Sequence, residues 1–180
     1  SSGQKIINNI VVGCGVNFGV STQIPGGGLN NAIVANNTLV NARGDAGASI
    51  NNVLFAGDAN YSNSKFVNNL ILQSVPGNVA NILESLGNPN FSTFTMSDNL
   101  YSNEPEPGWP VNEPGGMIVN PLLINPVIPV MGAFPDVHGY QLQASSPAIN
   151  AGAAVNEVTI DFFKQLRIAP LDIGADELNN

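Results

Sequence analysis

Asp45, Asp58 and Glu84 fall in successive connectors or strands of this sequence, where two of them could converge on one face. A pair of carboxylates at suitable separation is all that acid/base hydrolysis of a glycosidic bond requires. No motif selects these three, and solvated turn carboxylates account for them equally well. Proton abstraction beside a sugar carboxylate asks for more, a base together with a group that neutralises the developing charge. The whole supply of cations is Lys5, Arg43, Lys65, Lys164 and Arg167. None lies in the apolar stretches 16–20, 50–55 and 79–84, where Glu84 is the one charge, so a complete elimination site is not expected here.

Other chemistries are narrower still. Asp side chains and turn carbonyls could coordinate Ca²⁺, but no stretch matches a known calcium loop, so no metal site and no cofactor are assigned. His138 is the sole histidine, which excludes His-rich metal centres and leaves little room for a nucleophilic triad. Cys14 is the sole cysteine; following Ile10-Val11-Val12, it is expected to face the core. Trp109 and Tyr101 could stack on a sugar ring, although a Trp in a Pro-rich loop more often pins that loop. Gly26-Gly27-Gly28 has no following Lys or helix and is not a phosphate loop. Arg43-Gly44-Asp45 matches an adhesion tripeptide at a length that chance readily supplies. Asn36, Asn60 and Asn90 begin Asn-x-Ser/Thr sequons.

The elements that must position these residues are set by a repeat. Asn8-Asn9, Asn36-Asn37 and Asn68-Asn69 each sit between two short apolar runs, and Asp98-Asn99 is a weaker copy. The second members, Asn9, Asn37, Asn69 and Asn99, are 28, 32 and 30 residues apart. A self-similar unit of that length implies that each copy buries its apolar face on its neighbours. The runs are too short for helices and rich in Val, Ile, Leu and Phe, so the unit reads as strand, polar corner, strand. Asn suits the corner because it tolerates the left-handed region and bonds to nearby backbone. Stacked at the ~4.8 Å strand spacing, one amide can bond to the next and form a ladder. The expected fold is an all-β, right-handed parallel β-helix; a leucine-rich solenoid would need regularly placed leucines that are missing.

A third strand is expected in each unit, at 16–20, 50–55 and 79–84, the last with helical spacing as its competitor. Turn-rich connectors follow, at 25–28, 58–60 and 76–78. Regularity fails after Tyr101, where Pro105, Pro107 and Pro110 forbid ladder bonding, and a strand resumes near Met117. Three parts result: repeats over 1–103, a Pro-rich loop and last turn over 104–139, and a closing segment over 140–180.

A net charge of −8 disfavours nucleic acid and repels acidic polysaccharides unless a divalent cation bridges them. No window is long and apolar enough to span a membrane as a helix. The chain opens directly on a repeat, so it is expected to be part of a longer or processed product.

The closing segment carries Tyr140-Gln141-Leu142-Gln143-Ala144-Ser145-Ser146-Pro147-Ala148-Ile149-Asn150-Ala151-Gly152, then Asp161, Arg167 and Asp172-Ile173-Gly174-Ala175-Asp176-Glu177. It resembles the ending of secreted bacterial β-helix proteins of the pectate-lyase-like superfamily, including those with a choice-of-anchor-type ending. That resemblance implies the fold and an extracellular or cell-surface location, but no particular reaction. Lyases of the superfamily generally use Lys or Arg as base, often with Ca²⁺. Asp161, Arg167 and Asp172 are expected to be structural, an Arg167–Asp pair pinning a cover over the last turn's edge. The expected role is a structural or glycan-contacting surface module whose partner is a polysaccharide or surface glycan. The competitors are a carbohydrate-active enzyme with its site partly in further N-terminal turns, and a subunit that self-associates through its first turn.

Overall fold

The computed structural model describes residues 3–22, 27–43, 51–74, 81–104, 112–130 and 133–179. The chain cycles through four short sheets. Its first circuit is β1 (Lys5–Ile7), β2 (Ile10–Val12), β3 (Val16–Thr22) and β4 (Gly28–Asn30). The second is β5 (Ile33–Ala35), β6 (Thr38–Val40), β7 (Asn51–Gly57) and β8 (Asn60–Ser62). The third is β9 (Lys65–Val67), β10 (Leu70–Leu72) and β11 (Asn81–Leu86), and β12 (Thr95–Ser97) with β13 (Leu100–Tyr101) follow. A last strand, β14 (Met117–Ile118), joins after the loop.

Each circuit pairs with the previous one, in parallel throughout. The first sheet runs β1-β5-β9-β12, the second β2-β6-β10-β13-β14, the third β3-β7-β11 and the fourth β4-β8. The 81–86 stretch is therefore a strand, Leu83 lying opposite Val53, and not the helix its spacing also allowed.

Asparagine makes the bends because the backbone there is left-handed. Asn8, Asn36 and Asn68 have φ of 53°, 52° and 55°, and Asp98 takes the fourth copy at 54°. Asn31 and Asn63 turn the chain from the fourth sheet into the first with φ of 51° and 49°. A β-branched or bulky residue would be strained at any of these positions.

Alternation along the strands divides the apolar residues between two sides. Val34, Phe66 and Met96 of the first sheet and Leu39, Ile71 and Tyr101 of the second enter one inner core with Phe55 and Tyr61. Aromatic rings stack within it from turn to turn: Tyr61 lies parallel to Phe91 at 5.0 Å, and Phe55 meets Tyr61 edge-on at 5.1 Å. The alternate residues, Val40, Leu70, Leu72 and Leu100, face outward, yet they too are buried, with Tyr140, Leu142, Ala148 and Ile173. Ala35 and Val67 are covered likewise by Val158. A strand buried on both faces reads as a continuous apolar run, as the segments flanking each Asn doublet do.

The closing segment thus corrects the expected cover. It runs along the flank of the first and second sheets instead of over the last turn's end, because the outward apolar rows need covering along their length. Its contacts reach the first three corners: Ala175 N–H donates to Thr38 Oγ1 at 2.9 Å, Gly174 N–H to the Asn68 carbonyl at 2.8 Å, and Asn8 Nδ2 to the Ile160 carbonyl. Gly174, at φ 101°, lies so close that a Cβ would sit 2.9 Å from Thr38 Oγ1. Cys14 is a second correction. Gly13 at φ 69° turns the chain before it, so the thiol is exposed and its N–H is held by Asn17 Oδ1.

Candidate functional site

The two members of each corner doublet do different work. The second builds the ladder: Nδ2 of Asn9 donates to Asn37 Oδ1 at 2.8 Å, Asn37 to Asn69 at 2.9 Å, and Asn69 to Asn99 at 3.0 Å. The backbone N–H of each donates to the same acceptor oxygen. All bonds therefore point one way, from Asn9 toward Asn99. Glu113, brought back by the turn before β14, takes the place of a fifth Asn and accepts both donors of Asn99. Burial pushes the Glu113 carboxyl up, against the bonds it accepts from Tyr101 and Asn99.

The first member faces outward to the closing segment, hereafter the strap. Asn36 Nδ2 donates to the Asp172 carbonyl at 2.9 Å, and Asn68 exchanges bonds with Ala153 at 2.8 and 2.9 Å. The strap is fastened by a buried polar knot. Arg167 reaches Glu177 Oε2 at 3.0 Å, the Gly174 carbonyl at 2.7 Å and Asn8 Oδ1 at 2.9 Å. Glu177 accepts from Ile168 and Asp172 N–H groups, Asp161 from Gln165 and Glu177, Asp172 from Asn150 and Leu178, and Asp176 from Leu142. Burial pushes the Asp172 and Asp176 carboxyls up and the Arg167 guanidinium down. The ion pair is with Glu177, not with an aspartate as the sequence suggested; Asp161 and Asp172 spend their oxygens on backbone donors, and Glu177 accepts two such donors as well as Arg167.

A cleft opens where the strap leaves the first sheet. It holds about 440 Å³ and lies between the outward side chains of β9 and β12 and residues 153–157. Lys65 and Thr95 are paired across the strands on one outward row, and Val67 and Ser97 on the next. Asn156 and Glu157 form the strap side of the cleft. A wider hollow of about 500 Å³ lies by Asn8, Phe162 and Lys164.

The carboxylates singled out for hydrolysis are not assembled within the described residues. Asp58 is exposed in the turn after β7; Asp45 and the side chain of Glu84 lie outside the described residues. Trp109 also lies outside them. Tyr101 cannot serve as a sugar platform: it is 2 % exposed, its ring is in the inner core, and its hydroxyl donates to Glu113 Oε2 at 2.7 Å. Burial, then the neighbouring Glu113 charge, pushes its phenol well above the usual range. Among the described residues no group of three or more His, Cys, Asp or Glu could hold a metal ion, and the acids of the knot direct their oxygens at N–H donors. No helix among them is long and apolar enough to cross a membrane.

Glu113 and Lys65 are the residues that sequence reading passed over. Glu113 carries no motif, and only its place before a resuming strand could have marked it. Lys65 opens the run 65–72, so it was legible as the first residue of a strand, but its neighbours across the sheet were not. No protein-family model matches the chain, and no curated protein matches it.

Proposed function

We propose that the chain is a structural module of an extracellular or cell-surface right-handed parallel β-helix, of the pectate-lyase-like kind with a choice-of-anchor-type ending. The observation that carries this is the division of labour in the Asn doublets. One row ties successive circuits together inside, the other ties the first three corners to the strap outside. Such cross-linking suits a rigid rod, because each circuit contacts only its neighbours and would otherwise open singly. The strap's buried acids and Arg167 are accounted for by that fastening and need no catalytic role. Rod and strap together would hold a surface at fixed distance from whatever anchors the protein, in a medium where a polar, acidic exterior keeps it dispersed.

The test combines stability with turnover. The chain should resist protease at temperatures where the Arg167→Met variant is cut, and should release neither unsaturated product from uronate polymers, with or without Ca²⁺, nor new reducing ends from neutral glycans. Turnover that disappears on replacing Asp58 or Glu84 would replace the scaffold reading by an enzymatic one.

A further inference from the structure

We infer that the cleft between the first sheet and residues 153–157 is a binding site for a neutral saccharide residue, with Lys65 and Glu157 as its polar contacts. The inference stands on the cleft alone and does not require the scaffold reading. Its floor is fixed by strand register. Val34, Phe66 and Met96 point into the inner core, so Ile33, Lys65 and Thr95 must stand outward in one row and Val67 and Ser97 in the next. The strap packs Val155 and Val158 against the apolar half of these rows and leaves the half carrying Lys65, Thr95 and Ser97 open.

The lining selects the ligand class. Lys65 supplies donors only, Glu157 acceptors only, and Thr95, Ser97 and Asn156 supply both. Among the described residues none of these five side chains has a hydrogen-bond partner, so their capacity is free for a ligand. Vicinal hydroxyls donate and accept at once and match such a mixed set, while Ile33, Val67 and Val155 offer apolar contact to ring C–H groups. Charge excludes the alternatives: an anion meets Glu157 and a chain of net charge −8, and a cation meets Lys65. The volume of about 440 Å³ falls within the range of small-ligand clefts, ~300–1,000 Å³. Among the described residues no aromatic ring lines it, so millimolar affinity is expected, useful where many sugar units are presented together.

The experiment is titration of the whole chain with neutral gluco-, xylo- and N-acetylglucosamine tetrasaccharides and a tetra-uronate, followed by calorimetry and by NMR shifts. Saturable millimolar binding of at least one neutral sugar is expected, weakened about tenfold or more in Lys65→Ala and in Glu157→Ala, as loss of a charge-assisted bond implies. Both side chains are exposed, so unchanged melting curves should show that the variants fold. Ala154→Trp, which fills the cleft without removing a polar group, should abolish binding. No saturable binding by any neutral sugar, tighter binding of the uronate, or affinity indifferent to all three variants would each overturn the assignment.

Discussion

Glu113 receives both donors of Asn99, the backbone N–H at 3.0 Å and Nδ2 at 2.7 Å, on a single carboxylate oxygen. The ladder bonds run in one direction, so the last amide needs an acceptor that is not another Asn donor. A carboxylate on the returning chain supplies it and takes the Tyr101 hydroxyl on its second oxygen. Glu113→Ala should leave three buried donors, the two of Asn99 and the Tyr101 hydroxyl, without this acceptor and destabilise by about 1–3 kcal/mol. Glu113→Gln keeps the accepting oxygen and should cost clearly less. Urea denaturation of the two variants distinguishes them, and equal losses would show that the ladder does not depend on its terminal acceptor.

Asn37 sits between two rungs, accepting from Asn9 and donating to Asn69 and to the Ile6 carbonyl at 2.9 Å. Asn37→Leu should cost about 1–3 kcal/mol through the amides left unpaired on either side. Asn9, at the exposed first rung, should tolerate the same change better. A melting temperature for Asn37→Leu equal to that of the parent would rule out a buried ladder.

The ladder was legible because one residue type recurs at near-constant spacing, and a stacked amide needs no other information. The strap's course was half legible. The apolar runs of residues 32–35 and 39–40 signal strands buried on two faces, yet which segment covers the outer face depends on contacts more than a hundred residues apart, such as Asn36 with Asp172. Cys14 was misread because apolar neighbours suggest burial, while Gly13 at positive φ decides where the chain turns. The cleft was not legible at all, since Lys65, Thr95 and Glu157 become neighbours only through strand register and the strap's departure from the sheet.

The strap predicts a failure mode. Chain termination after Ser146 should bare Leu70, Leu72 and Leu100 along the flank, together with Ala35 and Val67. Exposed apolar area of that kind drives association. Light scattering should show aggregates in the truncated protein and none in the full chain. A milder version is Arg167→Met, which leaves Glu177 buried without its cation and should destabilise by about 3–5 kcal/mol. A truncated chain that stays monodisperse would mean the outer rows do not need their cover.

Acid should strengthen the fold before it weakens it. Burial raises the carboxyl groups of Glu113, Asp172 and Asp176 above their ordinary values of 4.5 and 3.8. A raised folded-state pKa means that the native chain binds the proton more tightly than the unfolded one. The resulting stabilisation is fully present below the ordinary carboxylate range and is lost as pH rises through the folded values. The melting temperature should therefore climb as the buffer is taken from neutral toward that range, and the climb should shrink in Glu113→Gln. At the alkaline end the sign is the same: Tyr61 is pushed up to about 12 and Tyr101 well above 10.0, both chiefly by burial, so stability falls as pH rises past the ordinary phenol value. Calorimetric scans across pH test both limbs. A melting temperature that drops steadily from neutral to mildly acidic buffer would mean these carboxylates are better solvated or better paired than their burial implies.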